Sequence, residues 1–316
     1  MKAQERGRRM PKILYIQPIH PAGMEYLAAK PGYTVEVAPD TDKETLKKCI
    51  VDADAIITRL TVVDAELMGC ARHLKAACKH GVGVDNIDTD YCKAHGIAVV
   101  TTGDANSSTV AEHAMLAIGA LYKRIVWLDG RMRQGDWGAR DRSGGQDLRG
   151  KTLGLVGYGR IGSCLAKMAG HGFDMNVLVY DPYASKEKVE AAGWIYCPDL
   201  DEMLPQVDVL SLHVPLTNST RGIIGEKQLA EMKQGAMVVN FSRGGVVRED
   251  ALANALKAGH IAGAALEVFE EEPPKADNPL FAMENVLLSP HCATFTEDSR
   301  RRMSMRLATE LEALLT

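Results

Sequence analysis

The sequence predicts an α/β fold with two doubly wound parallel sheets. Short apolar runs alternate with helix-like stretches from residue 12 to about residue 102, and the same alternation resumes after Leu153. In the second stretch an apolar run passes directly into three closely spaced glycines. Such alternation is typical of parallel strands joined by helices, and a glycine turn between strand and helix is typical of its phosphate-binding members.

Composition limits the class of protein and the kind of site. The 316 residues are 46% hydrophobic with a formal net charge of −4, which suits a two-domain globular protein and gives no basic excess for nucleic acid. The seven cysteines include no C-x-x-C pair, so we expect neither disulfides nor a metal site, and a reduced cytoplasmic setting. The first ten residues are polar and basic without a following apolar run, so we expect neither a signal peptide nor a membrane anchor.

The first half of the chain contains five apolar runs that predict strands, at residues 13–16, 34–37, 55–57, 74–77 and 97–100. The loop at residues 79–88, KHGVGVDNID, follows the fourth run. Two glycines there leave backbone N–H groups open to a small anion. An ordinary strand-to-helix turn, capped by Asp85 and Asn86, is the alternative.

A helix is predicted over residues 107–122, with Ser108 or Thr109 as its N-cap and Glu112 near its first turn. We expect it to connect the two halves. Residues 123–149 are richer in charge and glycine and carry Trp127 and Trp137 among arginines. This composition predicts an irregular stretch that contacts another chain, with a solvated loop as the alternative.

The second half begins with the glycine turn G-x-G-x-x-G at Gly157, Gly159 and Gly162. The first glycine permits the sharp turn, the second lets a diphosphate approach the backbone, and the third lets the helix pack close to the strand. Asp181 ends the next apolar run, 19 residues beyond Gly162, which is the spacing of a carboxylate that accepts both ribose hydroxyls. An ordinary turn-opening aspartate is the alternative. Together these residues predict an NAD site.

Further alternation predicts strands at residues 175–180, 207–212, 236–240, 262–266 and 286–288, and helices at 186–192, 226–232 and 248–257. Residues able to bind a cofactor or do chemistry follow these strands: His213, Arg243, Glu267 with Glu272, and His291. A cation, a histidine and a carboxylate at one sheet edge indicate hydride transfer to a keto acid, with the carboxylate orienting the imidazole and stabilising its charged form. The structural alternatives are a hydrogen-bonded loop histidine for His213, a turn-capping arginine for Arg243 and a solvated acidic run for residues 270–272.

With these motifs in place, the sequence resembles the D-isomer-specific 2-hydroxyacid dehydrogenases, which include phosphoglycerate dehydrogenase, glyoxylate/hydroxypyruvate reductase and D-lactate dehydrogenase. The resemblance covers nearly the whole chain. Its segments are GVGVDNID at 81–88, TVAE at 109–112, LRGKTLG at 148–154, LHVPLT at 212–217, NFSRGG at 240–245, ALEVF at 265–269 with EP at 272–273, and SPH at 289–291.

The resemblance implies a catalytic triad of Arg243, Glu272 and His291. It implies that backbone around Val82 and Gly83 helps Arg243 and His291 to hold the substrate. The cofactor residues that it implies are Thr109, Gly157, Gly159, Arg160, Ile161, Gly162, Asp181, His213, Val214, Pro215, Phe241, Ser242, Arg243, Glu267 and His291.

The fold that the resemblance implies is discontinuous. A Rossmann cofactor domain, residues 105–291, is inserted into a flavodoxin-like substrate domain, residues 1–104 and 292–316. The resemblance also implies a homodimer formed largely through the cofactor domain and the arm at residues 127–149. The composition predicts a cytoplasmic protein with no membrane or nucleic-acid partner.

Two positions depart from the family pattern. Position 267 is glutamate where aspartate is usual near the nicotinamide amide, and His291 is followed by Cys-Ala-Thr-Phe where isoleucine, alanine and glycines are commoner. Neither removes a catalytic role. The predicted function is NAD-dependent interconversion of a small 2-keto acid and its D-2-hydroxy acid. The alternatives are an NAD-sensing corepressor and a formate- or phosphite-type dehydrogenase.

Overall fold

The computed structural model describes residues 10–316, so the prediction for the extreme N-terminus falls largely outside it. The chain divides into two compact units. One consists of the described residues up to Asn106 together with Thr294–Thr316, and the other is the continuous segment Ser107–Ala293.

The first unit is built on a five-stranded parallel sheet. Its strands are β1 (Lys12–Tyr15), β2 (Thr34–Val37), β3 (Ala55–Thr58), β4 (Ala76–Lys79) and β5 (Ala98–Thr101). Their order, β2-β1-β3-β4-β5, is the flavodoxin-like arrangement. Every residue of β3 is buried, because a central parallel strand is covered on both faces and therefore reads as a continuous apolar run.

Five helices flank this sheet: α1 (Pro21–Ala28), α2 (Lys43–Cys49), α3 (Ala65–Gly69), α4 (Thr89–Ala94) and the C-terminal α12 (Glu297–Leu315). Helices α1 and α12 pack closely because Gly23 has no side chain. A Cβ there would lie 2.3 Å from the carbonyl oxygen of Ser304. Lys30 Nζ lies 2.7 Å from Glu312 Oε1, and Leu307 and Leu311 of α12 are fully buried. The C-terminal helix is therefore part of the core of the first unit.

The second unit is built on a seven-stranded parallel sheet. Its strands are β6 (Thr152–Val156), β7 (Asn176–Tyr180), β8 (Ile195–Tyr196), β9 (Val209–Leu212), β10 (Ala236–Asn240), β11 (Ile261–Leu266) and β12 (Val286–Leu288). The order β12-β11-β10-β9-β6-β7-β8 is the Rossmann order extended by one strand. The helices are α5 (Ser107–Lys123), α6 (Ile125–Arg133), α7 (Arg160–Lys167), α8 (Lys186–Ala191), α9 (Leu200–Met203), α10 (Glu226–Glu231) and α11 (Glu249–Lys257).

The predicted fold class is confirmed, and several local predictions are corrected. Helix α5 begins at Ser107, so Ser108 and Thr109 lie in its first turn and do not cap it. Strand β4 begins two residues later than predicted. The stretch predicted to be irregular contains α6 and a 3-10 helix at Trp137–Arg142. Helix α6 has no buried residue, so it leaves no apolar periodicity in the sequence.

Within residues 10–316, no helix is long and apolar enough to cross a membrane. The same range holds no cluster of three or more histidine, cysteine or acidic side chains arranged to bind a metal.

Candidate active site

The glycine turn after β6 has the geometry that a dinucleotide diphosphate requires. Gly157 has φ +99°, and a Cβ there would lie 2.7 Å from the carbonyl oxygen of His213. A Cβ on Gly162 would lie 2.2 Å from the carbonyl oxygen of Gly157, so the third glycine allows α7 to approach the strand. Gly159 faces open space and starts α7 without a side-chain cap. Gly159 and Arg160 are exposed, which leaves the N-terminus of α7 open to an anion.

Asp181 is fixed beside this turn by two backbone hydrogen bonds. Tyr158 N–H donates to Oδ2 over 2.7 Å, and Tyr183 N–H donates to Oδ1 over 2.8 Å. A carboxylate offers about four acceptor sites, so each oxygen can still accept a ribose hydroxyl. Arg160 and Ile161 open α7 next to it, and Arg160 is exposed.

His213 follows β9 and behaves as a neutral residue. Burial lowers the pKa of His213 to about 4, so its imidazole carries no charge near neutral pH. Nε2 lies 2.9 Å from Ser211 Oγ, and no group in the described part of the chain hydrogen-bonds the buried Nδ1. The sequence analysis did not identify Ser211. Its position two residues before His213, on the same face of a strand, was the available signal.

Asn240 shapes the turn after β10 that carries Phe241, Ser242 and Arg243. The Asn240 side chain is buried, accepts from the Ser242 N–H over 3.1 Å and the Ser242 hydroxyl over 2.8 Å, and donates to the Arg243 carbonyl over 3.0 Å. Arg243 Nη1 donates to the Ser242 carbonyl over 2.7 Å. Phe241 is buried and its ring lies 5.3 Å from that of His113. Buried side chains of the second unit therefore fix the backbone of this turn.

Gly244 brings this turn against the segment that carries Glu272. A Cβ on Gly244 would lie 1.6 Å from the Phe269 carbonyl oxygen, so only glycine fits there. Glu272 Oε1 accepts from the Phe269 N–H over 3.1 Å, and Oε2 lies 2.8 Å from His291 Nδ1. Burial raises the pKa of Glu272, but the hydrogen bond and charge of His291, the Phe269 N–H and the charge of Arg243 together hold it below its usual range. Glu272 is therefore ionised at neutral pH.

The geometry also assigns the nitrogens of His291. An ionised carboxylate only accepts hydrogen bonds, so Nδ1 carries the hydrogen directed at Glu272. Nε2 is then the nitrogen that can exchange a proton with a ligand. The His291 side chain is 49% exposed, which leaves room for such a ligand. Its backbone is left-handed, with φ +50°, a conformation that costs a non-glycine residue on the order of 1–3 kcal/mol.

Glu267 is buried next to the segment that carries His291. Its Oε2 accepts from the Ser289 hydroxyl and its Oε1 from the Ala293 N–H. Its backbone carbonyl accepts from the His291 N–H over 2.9 Å. Both carboxylate oxygens thus bond to the segment that carries the histidine, an arrangement that the sequence analysis did not predict.

The acidic run after Phe269 divides into structural and site residues. Glu270 accepts from the Glu249 N–H over 2.9 Å at the start of α11, and Glu271 lies 3.2 Å from Lys275 on the surface. Glu272 alone in this run contacts His291. The interpretation of the run as a solvated surface feature therefore applies to Glu271.

In the first unit, the loop after β4 is held by Asn86. Lys79 Nζ lies 2.6 Å from Asn86 Oδ1, and Asn86 Nδ2 donates to the Thr61 carbonyl over 2.6 Å. Helix α4 is capped by Asp88, so Asp85 and Asn86 do not cap it. Among the hydrogen bonds of the described residues, none uses the N–H group of Val82 or Gly83. Thr109, by contrast, is buried in the second unit, in the first turn of α5.

A family model and several known proteins similar to this chain agree on one enzyme family. The family model for the NAD binding domain of D-isomer specific 2-hydroxyacid dehydrogenases matches residues 115–293. The D-3-phosphoglycerate dehydrogenase of Archaeoglobus fulgidus is 41% identical over 301 residues, which are 95% of this chain but only 56% of that protein. The chain therefore spans little more than half the length of this relative.

Two further relatives are of similar length to this chain. The glyoxylate reductase of Korarchaeum cryptofilum is 41% identical over 280 residues, 87% of this chain and 83% of that protein. The crystal structure of an NADPH-dependent glyoxylate/hydroxypyruvate reductase from Sinorhizobium meliloti, in complex with NADP and malonate, superposes with a TM-score of 0.84 at 30% identity. That comparison covers 97% of this chain and 94% of the other.

Proposed function

The chain belongs to the D-isomer-specific 2-hydroxyacid dehydrogenase family, and from that premise we propose that it interconverts a small 2-keto acid and the D-2-hydroxy acid with NAD(H). The observation that carries this proposal is the pair of His291 Nδ1 and Glu272 Oε2, 2.8 Å apart, with the charge of Arg243 acting on the same carboxylate. A histidine with an ionised partner and a fixed cation are the groups that reduction of a keto acid needs.

The residues at the glycine turn fit a dinucleotide. The open face of Gly159 admits a diphosphate, and the oriented carboxylate of Asp181 suits two ribose hydroxyls. The same carboxylate would repel a 2′-phosphate, which favours NAD over NADP. When bound, the nicotinamide supplies or accepts the hydride.

His291 supplies the proton that balances the reaction. In reduction, imidazolium Nε2–H donates to the keto oxygen as that oxygen becomes a hydroxyl, and in oxidation the neutral Nε2 takes the proton back. Glu272 stabilises the charged imidazole and keeps Nδ1 as the fixed donor. The two directions therefore need opposite protonation states of one residue.

Arg243 is the proposed binding group for the substrate's charged end. Its planar guanidinium can hold a carboxylate and the adjacent keto oxygen together, as a lysine ammonium cannot. In the first unit, the N–H groups of Val82 and Gly83 are the proposed second contact for a carboxylate.

We also propose a homodimer that uses the arm built on α6. Helix α6 has no buried residue, and Ile125, Val126, Met132 and Trp137 in this arm are each about half to two-thirds exposed. Apolar exposure of this extent in one segment is typical of an interface. Light scattering combined with size exclusion tests the mass in solution. A cytoplasmic location is proposed from the seven free cysteines, which suit a reducing compartment.

A panel of substrates tests the proposal. Glyoxylate, hydroxypyruvate, phosphohydroxypyruvate, pyruvate and bulkier keto acids are offered with NADH and with NADPH, and nicotinamide absorbance is followed. Turnover of at least one keto acid to the D-hydroxy acid is expected. Formate and phosphite are offered with NAD in parallel assays. Binding of NADH without any turnover supports a corepressor-like protein, and activity only with formate or phosphite supports a formate- or phosphite-type dehydrogenase.

A further inference from the structure

Glu267 and Ser289 leave the sheet of the second unit side by side. Strands β11 and β12 pair with Leu266 opposite Leu288, and Glu267 and Ser289 are the next residues of each strand. Glu267 is only 2% exposed. A carboxylate that is removed from water needs hydrogen bonds in its place, and the Ser289 hydroxyl and the Ala293 N–H provide them.

Three contacts from this one residue hold a five-residue segment. The Glu267 carboxylate bonds Ser289 and Ala293 at the two ends, and the Glu267 carbonyl bonds the His291 N–H in the middle. His291 is one of only three non-glycine residues in the described chain with a left-handed backbone. Such a conformation persists where its surroundings determine it from several sides, as they do here.

We propose that Glu267 is a positioning residue that sets the backbone of His291, so that the imidazole reaches Glu272. This inference rests on the proposed function, in which His291 moves the proton. Glu272 orients the ring and Glu267 orients the chain that carries the ring. An aspartate at position 267 would end one methylene earlier and could not keep both Ser289 and Ala293, so the glutamate is matched to this segment.

The activity test compares Glu267→Asp with Glu271→Asp, which makes the same chemical change at an exposed residue of the neighbouring loop. We expect Glu267→Asp to lower kcat for keto acid reduction roughly 10–100-fold, since a misplacement of about 1 Å can cost that much. NADH affinity, measured by fluorescence, should stay within about twofold. The high-pH limb of reduction should move to lower pH, as in Glu272→Gln, and the double variant should move no further.

A spectroscopic test does not need turnover. The proton on His291 Nδ1, bonded to Glu272, is expected to give a downfield NMR resonance, which Glu272→Gln assigns by shifting or removing it. Glu267→Asp should weaken or abolish this resonance, and Glu271→Asp should keep it. If the parent protein reduces no keto acid, the proposed function fails, while this resonance still decides the positioning role.

Ser289→Ala keeps the inference testable if the Glu267 variants do not fold. It removes one of the two donors to the carboxylate and should give a smaller change in the same direction. Unchanged kcat, pH limb and resonance in Glu267→Asp would overturn the inference. A loss of NADH affinity as large as the loss of kcat would also overturn it, because that result assigns Glu267 to the cofactor.

Discussion

Cofactor choice is expected to depend on one side chain, that of Asp181. Asp181 is held against the glycine turn by the Tyr158 and Tyr183 N–H groups, at 2.7 and 2.8 Å, so it cannot easily turn away from a bound adenosine ribose. For two unit charges about 5 Å apart, one on the carboxylate and one on a 2′-phosphate, at an effective dielectric of about 20–40 as suits a half-buried site, the repulsion is roughly 1.5–3 kcal/mol.

That energy corresponds to a preference for NADH over NADPH of about 10–100-fold in kcat/KM. The perturbation is Asp181→Asn, which removes the charge at nearly constant shape. The amide oxygen can still accept one of the two N–H groups, so we expect kcat/KM with NADH to fall less than about tenfold. The preference itself should shrink to within about threefold.

The assay is initial-rate kinetics with both cofactors at a saturating concentration of the best keto acid. Asp201→Asn is the matched control, since Asp201 is a surface acid 2.6 Å from Lys227. Two results would refute the reasoning: equal kcat/KM with both cofactors in the parent, or an unchanged ratio in Asp181→Asn. The structure from Sinorhizobium meliloti is of an NADPH-dependent enzyme, so the same fold also accommodates NADP and the preference has to be measured.

Three further predictions concern the proposed chemistry. Arg243→Lys should lose roughly 10²-fold in kcat/KM while NADH binding, measured by fluorescence, is retained, because lysine lacks the planar fork. His291→Ala should lower kcat roughly 10²–10⁴-fold in steady-state assays, the usual contribution of a positioned acid/base group. The depressed pKa of Glu272 means that an anion faces His291 across the neutral range, so Glu272→Gln should shift the high-pH limb of reduction to lower pH and the low-pH limb of oxidation in the same direction.

Each of these variants has a control of the same chemical type. Arg248→Lys changes an exposed arginine 2.7 Å from Asp250, and His260→Ala removes a half-buried histidine that bonds Gln234. Glu271→Gln controls for Glu272→Gln. Near-normal kcat/KM in Arg243→Lys would make that residue structural. Full activity in His291→Ala would leave the proton donor unassigned, and His213, whose pKa burial lowers to about 4, would be a poor proton donor at pH 7.

The sheets were predictable because burial leaves a trace in the sequence. Strands β10 and β12 lie at the predicted residues, since apolar side chains fill them and polar turns bound them. Helix α6 was missed because it buries nothing and therefore shows no apolar face. Strand β8 has only two residues, Ile195 and Tyr196, which is too short for a pattern.

The chemistry-bearing residues were predictable for a different reason. In a parallel sheet the residues that follow each strand lie along one edge, so chain order indicates proximity for Asp181, Arg243 and His291. Hydrogen bonds that cross between segments leave no such trace. The contacts of Glu267 with Ser289 and Ala293 depend on the register of β11 and β12, which the sequence pattern does not specify.

The packing of α12 has a consequence for how the chain folds during synthesis. Strand β1 and helix α1 are synthesised well before α12, the helix whose Leu307 and Leu311 cover them. The continuous segment Ser107–Ala293 can meanwhile form its own core. The nascent first unit therefore presents apolar surface around Ile13 and Leu27 until α12 has been synthesised, and that surface is where chaperone binding to the growing chain is expected.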